Sequence, residues 1–266
     1  MTRQIVLSLF TLTATSVFAA DPKSLGYQDT PMIPGTTWHV HDGTRPQPRI
    51  ITAGKTFSDL APAPSDAVVL FDGTDLSKWK HGDGSPAKWK IENGYMEVVP
   101  KSGILRTKDE FSDFQLHLEF ATPIKVEGNG QGRGNNGVNI FGRYEIQVLD
   151  SFNNPTYADG QASAIYGQSP PLVNASRGPG EWQSYDIVFE APHWDGTNLV
   201  KKASATVLHN GVVVHNRREI LGSTNHRAMP KYGKPQEKGS IELFEHGNPV
   251  RFRNIWIRPL GEYDKP

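Results

Sequence analysis

The 266-residue chain contains no cysteine. That absence excludes disulfides, thiolate zinc sites, iron–sulfur clusters and cysteine nucleophiles together. It also has no excess of charge of one sign: 28 basic residues balance 28 acidic ones. With zero formal net charge, the usual electrostatic argument for nucleic acid or an anionic membrane as partner is missing. Long apolar runs are absent beyond the first twenty residues, so no segment of the remainder reads as a membrane insertion. Sustained 3.6-residue periodicity is missing as well, which argues against a helical protein. What the chain does have is 26 glycines, 20 prolines and six tryptophans. Turn formers and aromatics in that proportion suit an all-β protein of short strands.

Residues 1–20 read as a secretory signal peptide. Arg3 supplies the positive start, Ile5 to Val17 the apolar stretch, and Val17-Phe18-Ala19-Ala20 the small-residue cleavage site. No cysteine follows for lipidation, so the expectation is a periplasmic or secreted protein, stabilised by burial alone or with a metal. Residues 21–65 form an irregular, proline-rich extension, with Pro31, Pro34, Pro46, Pro48, Pro62 and Pro64 breaking regular structure. Within it, His39 and His41 would share one face of a strand and could share a metal. With no third ligand nearby, they read better as surface polar residues.

From residue 66 to 262 the dominant period is two. Phe114, Leu116, Leu118 and Phe120 alternate with Asp113, Gln115, His117 and Glu119, and 183–189 alternates likewise. Further strands are expected at 68–71, 88–92, 94–99, 203–208, 212–216, 241–246 and 250–258. His209-Asn210-Gly211-Val212 and Glu92-Asn93-Gly94-Tyr95 read as hairpin turns, since Asn-Gly supplies two positive φ angles. About ten short strands without crossover helices imply a two-sheet antiparallel sandwich, of jelly-roll rather than immunoglobulin type.

The segment 138–149 is the most informative. Read as one strand, it sends Val138, Ile140, Tyr144, Ile146 and Val148 to the core. Asn139, Arg143, Glu145 and Gln147 then follow one another on the other face, about 7 Å apart. Amides and a guanidinium suit hydroxyl groups, and a carboxylate can act as a base, so the row suits a small carbohydrate. An ordinary solvent-facing strand surface is the alternative. Asp150 has the opposite parity unless a bulge redirects it. The glycine-rich 128–134 lacks a following helix and a Lys-Ser/Thr, so it reads as a rim or wide turn rather than a phosphate cradle. The long connection 151–181 carries Tyr166 and Gln168, and a connection of that length is usually functional. Trp182 follows, placed either to stack on a sugar ring or to fill the core. His246, followed by glycine in a turn, is the histidine best placed to carry a proton, although a lone turn histidine is more often structural.

Several ordered motifs resemble one family. They are Phe71-Asp72-Gly73-Thr74 with Leu76 and Trp79, Trp89 to Gly94, Arg143 to Asp150, Ala164 to Gln168, Glu181-Trp182-Gln183 and His246 to Trp256. Together they resemble the 3-keto-disaccharide hydrolases, formerly a domain of unknown function, over roughly 66–260. Trp38 to Asp42 with Arg45-Pro46-Gln47-Pro48 resembles a planctomycete-type extension. Where many relatives have Leu-Gln-Asp-His, this chain has Leu243-Phe244-Glu245-His246.

The resemblance implies an exported jelly roll of the concanavalin A-like lectin/glucanase type. It implies cleavage of glycosides already oxidised at C3, with a sugar 3-oxidoreductase acting upstream. On that basis Glu145 is the base or acid and His246 its proton-transfer partner. Arg143 or a divalent metal ion stabilises the enolate, and Gln147, Tyr166 and Trp182 position the sugar, with Gln168 and Asn139 beside them. No metal ligand is identifiable. The competing arrangement is a conventional carboxylate pair of Glu145 with Asp150. A non-catalytic carbohydrate-binding jelly-roll module is the alternative from another class, because one fold hosts both.

Overall fold

The structure is a computed structural model that describes residues 25–55 and 59–261. The expected signal peptide lies outside the described residues. Two antiparallel sheets face each other across one apolar core, so the chain is an all-β sandwich. The larger sheet has the spatial order β15 (Val212–Glu219), β14 (Ser204–His209), β11 (Gln183–Glu190), β7 (Phe114–Ala121), β17 (Arg251–Pro259). Along its far edge β17 pairs with β5 (Tyr95–Glu97), which pairs with β4 (Lys90–Glu92), and separately with β2 (Val68–Phe71). The smaller sheet runs β3 (Trp79–His81), β6 (Leu105–Thr107), β16 (Ile241–Leu243), β8 (Asn136–Ile140), β9 (Tyr144–Val148). Two further pairs stand apart: β1 (Arg49–Ile50) runs parallel to β10 (Val173–Asn174), and β12 (His193–Asp195) pairs with β13 (Asn198–Lys201).

Alternation explains which face each strand buries. Phe114, Leu116, Leu118 and Phe120 point into the core, as do Tyr185, Ile187 and Phe189 from the neighbouring strand. Phe189 sits at the centre of an aromatic cluster, 5.3 Å from Phe114, 5.2 Å from Phe141 and 5.8 Å from Tyr144 between ring centres. Burying side chains of this size contributes about 1.5–3 kcal/mol each. Both expected Asn-Gly hairpins form, with positive φ at Asn93 and Gly94 and at Asn210 and Gly211.

The expectation of one strand across 138–149 is corrected. Phe141 and Gly142 adopt positive φ, and Arg143 N–H bonds back to the Ile140 carbonyl, so the segment folds into the β8–β9 hairpin. Asn139 and Glu145 are therefore partners across two strands, not neighbours along one. The alternation reads on through the turn because the three loop residues 141–143 leave Ile140 opposite Tyr144 and Asn139 opposite Glu145, so residues of equal parity stay on one face.

The outer face of the larger sheet carries a charged cluster. Burial opposes a charge on His117, but Asp186 at 2.8 Å and Glu119 at 3.8 Å outweigh it and raise its pKa to about 9. Burial likewise opposes ionisation of Glu119, yet His117, Asn254, the Leu60 N–H and Arg253 at 2.7 Å lower it to about 2. The signs are opposite. The His117 contribution is complete below its ordinary pKa of 6.5 and is lost as pH rises through about 9. The Glu119 contribution is complete above 4.5 and is lost as pH falls through about 2. Urea titrations should find the stability advantage of wild type over His117→Asn greatest near pH 4.5–6.5 and shrinking through pH 9. A pH-independent difference would refute the pairing.

Candidate active site

The free edge of β9 decides what surrounds the polar row. An edge strand leaves backbone groups unpaired, and here the 161–169 segment satisfies them. Gln147 N–H donates to the Ala164 carbonyl, Ser163 N–H to the Gln147 carbonyl, and Tyr166 N–H to the Glu145 carbonyl. Thr224 N–H donates to the Arg143 carbonyl, and Glu145 N–H reaches Thr224 Oγ1 at 3.3 Å, bringing a second segment to the same edge. The long connection after Asp150 is thus a strand-like cover. Both faces of β9 are buried, whereas alternation implied an outward polar face.

Between this cover and the smaller sheet lies a cavity of about 460 Å³. Asn139, Arg143, Glu145, Gln147, Tyr166 and His246, six of the expected site residues, all line it. Glu145 is only 8% exposed, and burial alone pushes its carboxyl up to about 8. Among the described residues it has no ion-pair partner within 4 Å. The Gln147 amide lies 2.9 Å from Glu145 Oε1, 2.8 Å from the Asn136 carbonyl and 2.9 Å from Gln131 Oε1. Its nitrogen turned inward serves an ionised Glu145, and its oxygen turned inward accepts from a protonated one.

Gly137 makes room for that carboxyl. A Cβ there would lie 3.0 Å from Glu145 Cγ and closer still to its oxygen. Gly137→Ala should therefore fold but displace the carboxyl, lowering kcat by on the order of 10-fold to 10²-fold. An unchanged kcat would show that the carboxyl position does not matter.

Three expected residues lie elsewhere. Asp150 is buried outside the cavity, where its Oδ2 accepts from Arg133 Nε at 2.7 Å, so Glu145 and Asp150 do not converge. Gln168 is buried and structural in its contacts, donating to the Gly222 carbonyl and accepting from Leu221 N–H. Trp182 sits on the larger sheet, with the Arg253 guanidinium 4.2 Å from its ring and Tyr95 beside it. It neither stacks in the cavity nor belongs to the core.

Part of the cavity wall comes from residues that were not expected at the site, Tyr157, Gln131 and His226 among them. Tyr157 and Tyr166 hydroxyls meet at 2.9 Å, and Tyr166 OH lies 3.2 Å from His226 Nδ1. Burial pushes both tyrosines above their ordinary pKa, and partial loss of solvent draws the exposed His226 and the rim residue His246 below the usual imidazole value. Gln131, from the glycine-rich turn, is held by its Nε2 donating to the Gly160 carbonyl at 2.8 Å. Glu242 does not line the cavity but pairs with Asn139, which does: Asn139 Nδ2 donates to its Oε2 at 3.0 Å, and burial raises the Glu242 pKa. Among the described residues, no three His, Asp or Glu side chains converge as metal ligands would.

The extension reaches this wall. His41 is fully buried, correcting its expected surface position. Its Nδ1 lies 3.1 Å from Asp159 Oδ1, and its backbone N–H donates to Asp159 Oδ2 at 2.9 Å. Its ring packs 4.0 Å from Tyr157 and 4.5 Å from Tyr166. His39 turns away to the Thr30 carbonyl, so the two histidines do not share a ligand.

Residues 66–258 match the family described as the 3-keto-alpha-glucoside-1,2-lyase-like domain. The chain belongs to this family. A 3-keto-disaccharide hydrolase of Bacteroides thetaiotaomicron is 23% identical over 242 residues, covering 76% of this chain and 82% of its own. A Parabacteroides distasonis structure provisionally described as a glycosyl hydrolase is 46% identical, with a TM-score of 0.73. It covers 81% of this chain and 93% of its own. A second structure from that organism, with the same description, shares the fold at 22% identity and a TM-score of 0.57, over 74% of this chain and 94% of its own. Within the family's domain lie β2 to β16 and most of β17, and with them every expected site residue. Tyr27 and His41 lie outside it. Among the described residues no helix is long and apolar enough to cross a membrane.

Proposed function

We propose that this family member cleaves the glycosidic bond of 3-keto-glycosides, including 3-keto-disaccharides, by elimination followed by hydration. The observation that carries the reading is Glu145: a buried carboxyl without an ion-pair partner among the described residues, raised to about 8, in a polar cavity of about 460 Å³. A base works best with its pKa near the working pH, so a carboxylate raised to about 8 is a stronger base than an ordinary one near 4.5. A ketone at C3 acidifies the C2 hydrogen. The Glu145 carboxylate takes that proton, and the C–H electron pair moves into an enolate whose charge rests on the C3 oxygen. Arg143 on the cavity wall supplies positive charge for that oxygen. A divalent cation is the alternative source of it.

The enolate then returns its electrons to form C1=C2 and breaks the C1–O bond. The leaving oxygen takes a proton from Tyr166, whose raised pKa keeps it protonated and whose hydroxyl is backed by His226. His246 at the rim accepts the proton from Glu145, which returns the base to its ionised form, and passes it to solvent. Tyr166 regains a proton from solvent, so both residues end the cycle as they began it. Water adding across C1=C2, hydroxyl to C1 and hydrogen to C2, gives net hydrolysis. The substrate requires prior oxidation at C3, so a sugar 3-oxidoreductase acts upstream, and the leader sequence suits a periplasmic or secreted enzyme.

A carbohydrate-binding module would need an exposed aromatic platform instead, and Trp182 is covered by Arg253. The test is to incubate the protein with glucosides and with their 3-keto forms, with and without chelator, following the unsaturated keto sugar. Consumption of the keto forms alone is expected. Equal cleavage of unoxidised glucosides would overturn the reading, and loss of turnover with chelator would move enolate stabilisation from Arg143 to a cation.

A further inference from the structure

A second cavity, of about 500 Å³, adjoins the first. Gln131, Tyr157 and His226 line both. Each is of the size of a small-molecule site, roughly 300–1,000 Å³. Leu25 and Tyr27 from the extension line the second, together with Asn129, Asn154 and Thr156. Its lining contains no carboxylate, lysine or arginine. Amides, hydroxyls and aromatic faces without fixed charge suit a neutral hydroxylated ring and give nothing to an anion.

The extension is built into this wall. Tyr27 N–H donates to the His41 carbonyl at 2.8 Å, and its hydroxyl lies 3.3 Å from His226 Nε2. Arg227 covers its ring at 4.1 Å and is itself held by Asp29 at 2.6 Å. Gly26 must be a glycine, because a Cβ there would lie 2.8 Å from the backbone nitrogen of Gly43.

We propose that the second cavity is the leaving-group subsite, which takes the second, neutral sugar ring of a disaccharide, and that residues 25–27 set its selectivity. The inference rests on the glycoside-cleavage reading above. In that reading the proton for the leaving oxygen comes from Tyr166, backed by His226, which lines both cavities, so the bond that breaks lies where the two meet. The oxidised ring occupies the cavity of Glu145 and the departing ring the cavity of Tyr27. Leaving-group selectivity is then supplied by chain outside the family's 66–258 domain.

The experiment fills the second cavity from two of its lining residues, with Asn129→Trp and, separately, Leu25→Trp. Rates are measured on a 3-keto-glucosyl-glucose and on the methyl 3-keto-glucoside, which share the oxidised ring. The ratio of kcat/KM for disaccharide over methyl glycoside should fall at least tenfold in both variants, mainly through KM. An unchanged ratio in both correctly folded variants overturns the subsite. Calorimetric titration with free glucose separates this failure from failure of the underlying reading. A wild type that cleaves neither substrate, yet binds glucose that Asn129→Trp no longer binds, overturns the cleavage and keeps the subsite.

Discussion

Glu145→Gln should lower kcat on a 3-keto-glucoside by about 10²–10⁴-fold, the range lost with a general base, while raising stability at neutral pH. The amide keeps the shape of the carboxyl and its contact with Gln147, so substrate binding should change little. The stability gain follows from the raised pKa. A group at about 8 in the folded state and 4.5 when unfolded costs stability as pH rises from 4.5 to about 8. Removing it should stabilise the protein by on the order of 1–3 kcal/mol at pH 7. Below pH 4.5 the two proteins should unfold alike. The wild-type kcat/KM should rise with pH through about 8, since the ionised form is the base. Persistent turnover in the variant would remove Glu145 from the chemistry, and a kcat/KM that fell through pH 8 would make it the acid instead.

Why Glu145 is legible in the sequence while half of its surroundings are not follows from how each is positioned. A period of two fixes the face of every residue within a strand, so Asn139, Glu145 and Gln147 fall together once β8 and β9 are recognised. The hairpin at Phe141–Arg143 changes how they meet without changing their face. The same parity rule sent Asp150 the other way, and the structure gives it to Arg133. His226, Tyr157 and Gln131 sit in connections with no period, and their place depends on which strand edge the connection covers. The pairing of 163–166 with the edge of β9 joins residues adjacent in sequence to others about twenty away, and no local pattern encodes it. A hint existed for His41 in its isolation among prolines. Its burial depends on Asp159, 118 residues later.

That contact carries the second large effect. Asp159 is fully buried in the short turn Ala158–Gly160, and its two oxygens accept from both His41 groups, the backbone N–H and Nδ1. Its own carbonyl accepts from Gly167 N–H, so one residue joins the extension, the tyrosine pair and the cover of β9. His41 adopts a left-handed conformation, φ 57°, which a non-glycine residue holds only when its surroundings fix it. Asp159→Ala removes both acceptors and leaves a buried imidazole and a buried N–H without partners. Removing one member of a buried pair costs about 3–5 kcal/mol. Asp159→Asn keeps one carbonyl oxygen for the backbone N–H and should cost less, about 1–2 kcal/mol. Because His41 packs at 4.0 Å on Tyr157 and 4.5 Å on Tyr166, loss of its anchor should also loosen the hydroxyl pair facing the cavity. Turnover on 3-keto-glycosides should therefore fall in Asp159→Ala under conditions where it remains folded, with the Asn variant intermediate. Urea unfolding checks the first effect and initial rates the second. A stability loss below about 1 kcal/mol in the alanine variant would mean that the extension is held by its other contacts. Full turnover would mean that Tyr157 and Tyr166 keep their places without His41.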